Sequence, residues 1–183
     1  MVLVHVCCAP DATTAYKRIT DLGQQCSFFF YNPNIYPVEE YQKRLNATRK
    51  LANLWKVPLL EGDYDASEWT EWVEEFSQEP EGGARCLRCI EFRLRKTALK
   101  AKENGFDVFA TSLTTSPRKN AQSINTIGEK VSSEIGVIYM KSDFKKKDGF
   151  LYSVKVSKML NLYRQNYCGC VYSLKNSPRR ERT

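Results

Sequence analysis

The sequence has a single histidine, His5, in 183 residues, which excludes a zinc site built from several imidazoles. No apolar run comes near the ~18–20 residues that a membrane span needs, so no membrane association is expected. The opening stretch, MVLVHVCCAP, lacks a basic n-region and holds only a short apolar run. It therefore does not read as a signal peptide, and the chain is expected in the cytoplasm. Neither G-x-G-x-x-G nor a Walker loop occurs, which leaves a dinucleotide or nucleoside triphosphate site without a motif. Cysteine, at seven residues, stays below the ~8–10% that marks a disulfide scaffold.

What is present is ordinary globular material. Hydrophobic residues make up 42% and charged residues 27%, enough to build a core and too apolar for a disordered chain. The length fits one domain over residues 1–183, since domains commonly run ~100–200 residues. The net charge of +7 is unevenly distributed. Residues 141–183 carry 11 Lys/Arg against 3 Asp/Glu, and residues 1–140 carry 17 against 18. Between Glu61 and Glu81 there are nine acidic residues and no basic one. A basic end of this kind, with its tail at about 175–183, suits either a polyanion footprint or a solvated face.

Pattern and punctuation divide the chain into alternating elements. Val2 to Val6 reads as a strand and Asp11 to Leu22 as a helix ended at Gly23, with Asp11 as a candidate cap. Cys26 to Tyr31 reads as a buried strand, Asn32 to Pro37 as a loop, Val38 to Lys56 as a helix and Val57 to Leu60 as a short strand. The acidic segment looks helical, and Glu81-Gly-Gly-Ala leads into a helix from Cys86 to about Glu103. That helix has Ile90, Leu94, Ala98 and Ala101 on one face and Arg93 among the residues away from it. Asp107 to Ala110 is a strand, Thr111 to Asn120 a polar loop, and another helix runs to Glu134. A strand at Val137 to Met140 and a helix at Val154 to Gln165 complete the pattern. This alternation predicts an α/β fold with a doubly wound, mostly parallel sheet flanked by helices.

Six of the cysteines fall in three pairs: Cys7 and Cys8, Cys86 and Cys89, Cys168 and Cys170. Cys7 and Cys8 follow directly on a predicted strand, where open α/β sheets bind ligands. Asn32 to Tyr36 and Thr111 to Asn120 should lie on the same rim. Soft thiolates exclude magnesium and calcium. An iron–sulfur centre, a zinc site and metal-free thiol redox chemistry remain open on the residues alone. Cys168-Gly169-Cys170 suits either a strained, labile disulfide or two further metal ligands. Asp11 is a helix cap, a metal ligand or a general acid, His5 a core residue or a proton donor, and Cys26 a core thiol.

Several ordered motifs narrow this. His5-Val-Cys-Cys-Ala-Pro, Tyr31-Asn-Pro-Asn-Ile, Glu40-Tyr, Ala84-Arg-Cys-Leu-Arg-Cys, Thr111-Ser-Leu-Thr-Thr-Ser-Pro-Arg-Lys-Asn, Asp143-Phe-Lys-Lys and Leu162-Tyr-Arg-Gln-Asn-Tyr-Cys-Gly-Cys resemble the QueH family of epoxyqueuosine reductases over nearly the whole chain. The resemblance implies reduction of the epoxide of epoxyqueuosine at the wobble position of a tRNA anticodon, without cobalamin and with electrons from a low-potential donor. It implies Cys7, Cys8, Cys86 and Cys89 as [4Fe-4S] ligands and Cys168 and Cys170 as a redox-active pair. Many relatives have a third cysteine where this chain has Asp11, which implies a coordinating position and a second iron through Cys8, Asp11 and Cys170. Arg118, Lys119, Asn32 and Tyr36 are the expected substrate and tRNA contacts. Cys-Cys-Ala-Pro-Asp is also similar to the Ser-Gly-Gly-x-Asp of PP-loop tRNA enzymes, which implies a related Rossmann-like sheet but without the glycines of their ATP site. The competing readings are a zinc-stabilised RNA-binding module and a thiol–disulfide oxidoreductase.

Overall fold

A computed structural model describes residues 1–175, so the expected basic tail lies almost wholly outside the described residues. Five strands form one sheet: β1 (Val2–His5), β2 (Cys26–Phe30), β3 (Leu59–Glu61), β4 (Val108–Thr111) and β5 (Ile138–Tyr139). Their order is β3-β2-β1-β4-β5 and every neighbouring pair is parallel. The chain builds outward from β1 to β3 and returns to the other side of β1 with β4. The β1/β4 boundary is therefore the switch point, where crevices open at the carboxyl ends of strands.

Two-residue periodicity splits the core into two layers. Val2, Val4, Phe28 and Phe30 point to one face, where they meet Ala12, Ile19, Leu45 and Leu51 from α1 (Ala9–Asp21) and α2 (Val38–Trp55). Leu3, Phe29 and Phe109 point to the other and meet Ile90, Leu94, Ile124 and Val131 from α4 (Ala84–Glu103) and α5 (Ala121–Ile135). Because both faces are covered, the central strands are apolar almost throughout. Each fully buried aromatic, such as Phe28 or Phe109, contributes ~1.5–3 kcal/mol. A third cluster of Trp69, Val73, Cys89, Phe92 and Cys170 draws α3 (Ser67–Val73) and the end of the chain onto α4.

Two expectations are corrected. Asp11 is not the cap of α1: Cys8 holds that place in an extended conformation, and Asp11 lies in the first turn behind Pro10. The last long helix, α6, runs Gly149–Met159 instead of Val154 to Gln165. It starts early because a glycine at 149 lets the backbone pass Phe144, whose carbonyl oxygen would lie 1.7 Å from an added Cβ. It stops early because Asn161 takes a left-handed conformation at φ 46°. The amides of Asn161 and Leu162 then reach back to the carbonyls of Lys158 and Ser157, a Schellman ending. Residues after Met159 are thereby released from the helix. Arg93 lies off the apolar face of α4 as expected, yet it is buried at 4% exposure. A short helix, α7 (Val171–Lys175), follows Cys170.

Candidate metal and substrate site

Each of the three cysteine pairs has a member at the start of a helix. Cys7 and Cys8 open α1, Cys86 lies in the first turn of α4 with Cys89 one turn further on, and Cys170 immediately precedes α7. Exposed N–H groups and the positive end of the helix dipole favour a thiolate there. The backbone N–H of Gly82 donates to Cys86 Sγ at 3.2 Å, and that of Ser173 to Cys170 Sγ at 3.4 Å.

Among the described residues, Cys7, Cys8 and Asp11 form one group whose ligand atoms all lie within 4.8 Å of one another. The Cys7 and Cys8 sulfurs are 3.8 Å apart and share a hydrogen bond. That bond, helped by Arg93 and Ser112, overcomes burial and brings the Cys7 thiol down to about 6, while it holds Cys8 well above its ordinary range. Asp11 is raised well above the usual carboxylate value, first by burial and then by Cys7.

Arg93 joins this group to the other cysteines. It lies four residues after Cys89, so both share a face of α4, and its Nε donates to the Cys89 carbonyl. Burial opposes its charge, yet Cys89, Cys168, Cys7 and Cys86 surround it closely enough to raise its pKa. Its Nη1 also donates to Asn32 Oδ1 at 3.4 Å. Cys89 is held up by burial, and Cys168 and Cys170 act on it in the same direction. Of the expected ligands, Cys7, Cys86 and Cys89 therefore share one buried cation, and Cys8 adjoins them through Cys7. Soft sulfur donors with a single carboxylate fit a thiolate-ligated transition metal.

Beside this group lies a cavity of about 220 Å³. Cys7, Asp11 and Arg93 are on its wall, with Asn32 and Asn34 from the loop after β2 and Arg118 and Lys119 from the loop after β4. The segment released by α6 supplies Arg164, Gln165, Asn166, Tyr167 and Cys168, and Phe150 adds an aromatic wall. Lys119 turns inward, its Nζ 3.3 Å from Cys168 Sγ. Burial opposes its charge, but Cys168 and Cys86 raise its pKa above the ordinary value. Arg118 stays exposed at the rim.

Arg44 holds the loop that carries Cys168. Its guanidinium donates to Glu40 Oε1 at 2.7 Å, to the Cys168 carbonyl at 2.9 Å and to the Tyr167 carbonyl at 3.1 Å. Tyr163 donates to the other Glu40 oxygen at 2.5 Å. Gly169 adopts φ 123°, and a Cβ there would lie 2.9 Å from Arg44 Nη1. The Gly169 carbonyl accepts from the Tyr36 amide at 2.8 Å.

Other expected residues take narrower roles. Asn32 is committed to structure, donating to the Val6 carbonyl and accepting from Arg93. Tyr36 is 53% exposed and does not line the cavity; it meets the cysteine loop through its backbone, its carbonyl accepting from the Tyr167 hydroxyl. His5 is fully buried, between Thr111 Oγ1 and the Tyr31 carbonyl. Burial and the nearby Arg93 push it down to about 3, so it is a neutral bridge between strands. Cys170 packs with Cys89 and Trp69 in the third core cluster and is not in the Cys7–Cys8–Asp11 group. Cys168 and Cys170 are free thiols in this structure. Sequence reasoning missed Arg44 and the burial of Arg93; it placed Asn34 on the rim and saw Arg164 and Gln165 only as parts of a motif. Arg93 left a usable signal, its spacing of seven and four residues after Cys86 and Cys89.

The family model described as epoxyqueuosine reductase QueH matches residues 2–176. A relative from Thermotoga maritima bearing that same description is 43% identical over 176 residues, covering 94% of this chain and 90% of its own. Another from Streptococcus pyogenes serotype M1 is 42% identical over 180 residues, covering 95% of this chain and 70% of its own. Among solved structures, a predicted subunit of a tRNA methyltransferase from Methanocaldococcus jannaschii superposes with a TM-score of 0.54 at 13% identity. It covers 84% of this chain and 75% of its own, a likeness of fold.

Proposed function

The chain belongs to the epoxyqueuosine reductase QueH family, and from that premise we propose that its cavity is where the epoxide of epoxyqueuosine, at the wobble position of a tRNA, is reduced to give queuosine. The observation that carries the reading is that members of three sequence-distant cysteine pairs, Cys7, Cys86 with Cys89, and Cys168, lie around Arg93. Both C–O bonds of the epoxide break, a carbon–carbon double bond forms, and the oxygen leaves as water with two electrons and two protons.

Cys7, Cys8, Cys86 and Cys89 would hold a [4Fe-4S] cluster, which when bound supplies single electrons at low potential. Asp11 and Cys8 also offer donors to a second iron. Cys168 and Cys170 act as a dithiol: closing to a disulfide releases two electrons and two protons, the number the reaction consumes. A low-potential donor outside the chain restores the thiols, and no cobalamin is required. Lys119 holds Cys168 as the reactive member of the pair, because its ammonium group faces that sulfur and leaves Cys170 against Ser173. Of the two carboxyls on the cavity wall, Asp11 and Glu81, Asp11 lies beside Cys7 and, when it holds no iron, carries the proton for the departing oxygen. Arg118 and the basic residues of the C-terminal part hold tRNA phosphates. The setting is cytoplasmic, with the tRNA pool; no helix among the described residues is long and apolar enough to cross a membrane.

Anaerobic purification followed by iron and sulfide analysis tests the reading. A brown protein with about four irons and four sulfides is expected, with a fifth iron if Asp11 binds metal. Cys86→Ala should lose cluster and turnover together. A colourless protein that contains only zinc and stays so after anaerobic reconstitution, or a fully active Cys86→Ala variant, would overturn it.

A further inference from the structure

Three guanidinium groups are buried among the described residues, those of Arg44, Arg85 and Arg93. Arg44 faces the Glu40 carboxylate at 2.7 Å. Arg85 donates to the carbonyls of Ser77 and Glu79 and lies over the Tyr172 ring, 4.2 Å from its centroid. Arg93 has neither arrangement. No carboxylate among the described residues pairs with it. Its two hydrogen bonds, to the Cys89 carbonyl at 3.3 Å and to Asn32 Oδ1 at 3.4 Å, are long and end on neutral acceptors. A buried charge needs a counter-charge, because neutral carbonyls do not return what desolvation costs. What surrounds Arg93 is sulfur: Cys89 one turn earlier on the same helix, Cys7 and Cys168 on the same cavity wall, and Cys86. Asn32, tied to the Val6 carbonyl, and the Cys89 carbonyl hold the guanidinium in that place.

We propose that Arg93 is a positioning residue: its guanidinium is the fixed counter-charge of the metal-binding thiolates and sets the potential at which the centre they hold takes up an electron. The inference rests on the iron–sulfur reading above and adds to it the residue that tunes the centre. Reduction adds negative charge, so a cation held beside it in a low-dielectric interior favours the reduced form.

The test is an anaerobic redox titration, followed by EPR, of wild type, Arg93→Gln and Arg93→Lys, with iron and sulfide counted and circular dichroism confirming the fold. At the poise that half-reduces wild type, the ratio of reduced to oxidised centre should fall at least tenfold in Arg93→Gln, a potential at least 59 mV more negative for one electron. In Arg93→Lys, which keeps the charge, the ratio should stay within about threefold of wild type. Loss of iron from a folded Arg93→Gln protein while Arg93→Lys keeps it would also support the assignment. A fully loaded Arg93→Gln protein at the wild-type potential, a tenfold change in Arg93→Lys, or equal loss of iron from both folded variants would overturn it. So would an unchanged potential beside weaker tRNA binding and a smaller salt slope, which would make Arg93 a phosphate contact. A wild-type protein that takes up no iron on anaerobic reconstitution would overturn the iron–sulfur reading instead.

Discussion

At the scale of single residues, the seven cysteines divide by surroundings. Six lie in pairs at or near the starts of α1, α4 and α7, around the cavity. Cys26 stands inside β2, where burial pushes its thiol up to about 12. Folded protein treated with iodoacetamide at pH 8 should therefore keep Cys26 unmodified, and denaturant should expose it. Peptide mass spectrometry reads this directly; labelling of Cys26 in the folded state at the rate of a free thiol would contradict its burial. The same contrast explains Lys119, expected at a phosphate but turned onto Cys168.

Loops between elements make the site. Asn161 ends α6 early and frees Arg164 to Cys168 to line the cavity. Arg44, from the middle of α2, then fixes that segment by its carbonyls. The Glu40–Arg44 pair is buried, so Arg44→Met leaves an uncompensated carboxylate and should cost ~3–5 kcal/mol. Denaturant titration would show it, and an unchanged midpoint would refute the clamp. Gly169→Ala meets both a positive φ and the Arg44 guanidinium, so it should lose most activity while leaving the sheet folded. Circular dichroism alongside turnover separates the two effects.

Over the whole molecule, charge and topology act together. The acidic Glu61 to Glu81 segment lies around α3, while Arg118 and the lysines of 145–147 stand on the side of the β4 loop and α6. Lys145 Nζ donates to the Lys119 carbonyl, which ties that basic loop to the cavity rim. Arg118→Ala should weaken tRNA binding about equally for all sequences and lower the salt slope by about 1. Filter binding across a salt series measures it; a slope identical to wild type would remove Arg118 from the phosphate contacts.

The sequence by itself determined the alternation of strands and helices, because pleat and helix periods leave local apolar patterns that neighbouring residues share. It also determined the three cysteine pairs and the strand-end placement of Cys7, Cys8 and Thr111 to Lys119, since strand ends are marked by local turn chemistry. Arg93 was half legible through its spacing from Cys86 and Cys89. Tertiary structure alone decided the rest. Arg44 meets carbonyls more than 120 residues away, and Asn34 and Gln165 share a cavity across a comparable stretch of chain. Whether a polar side chain is buried and paired depends on what packs against it from distant segments, and no local pattern records that.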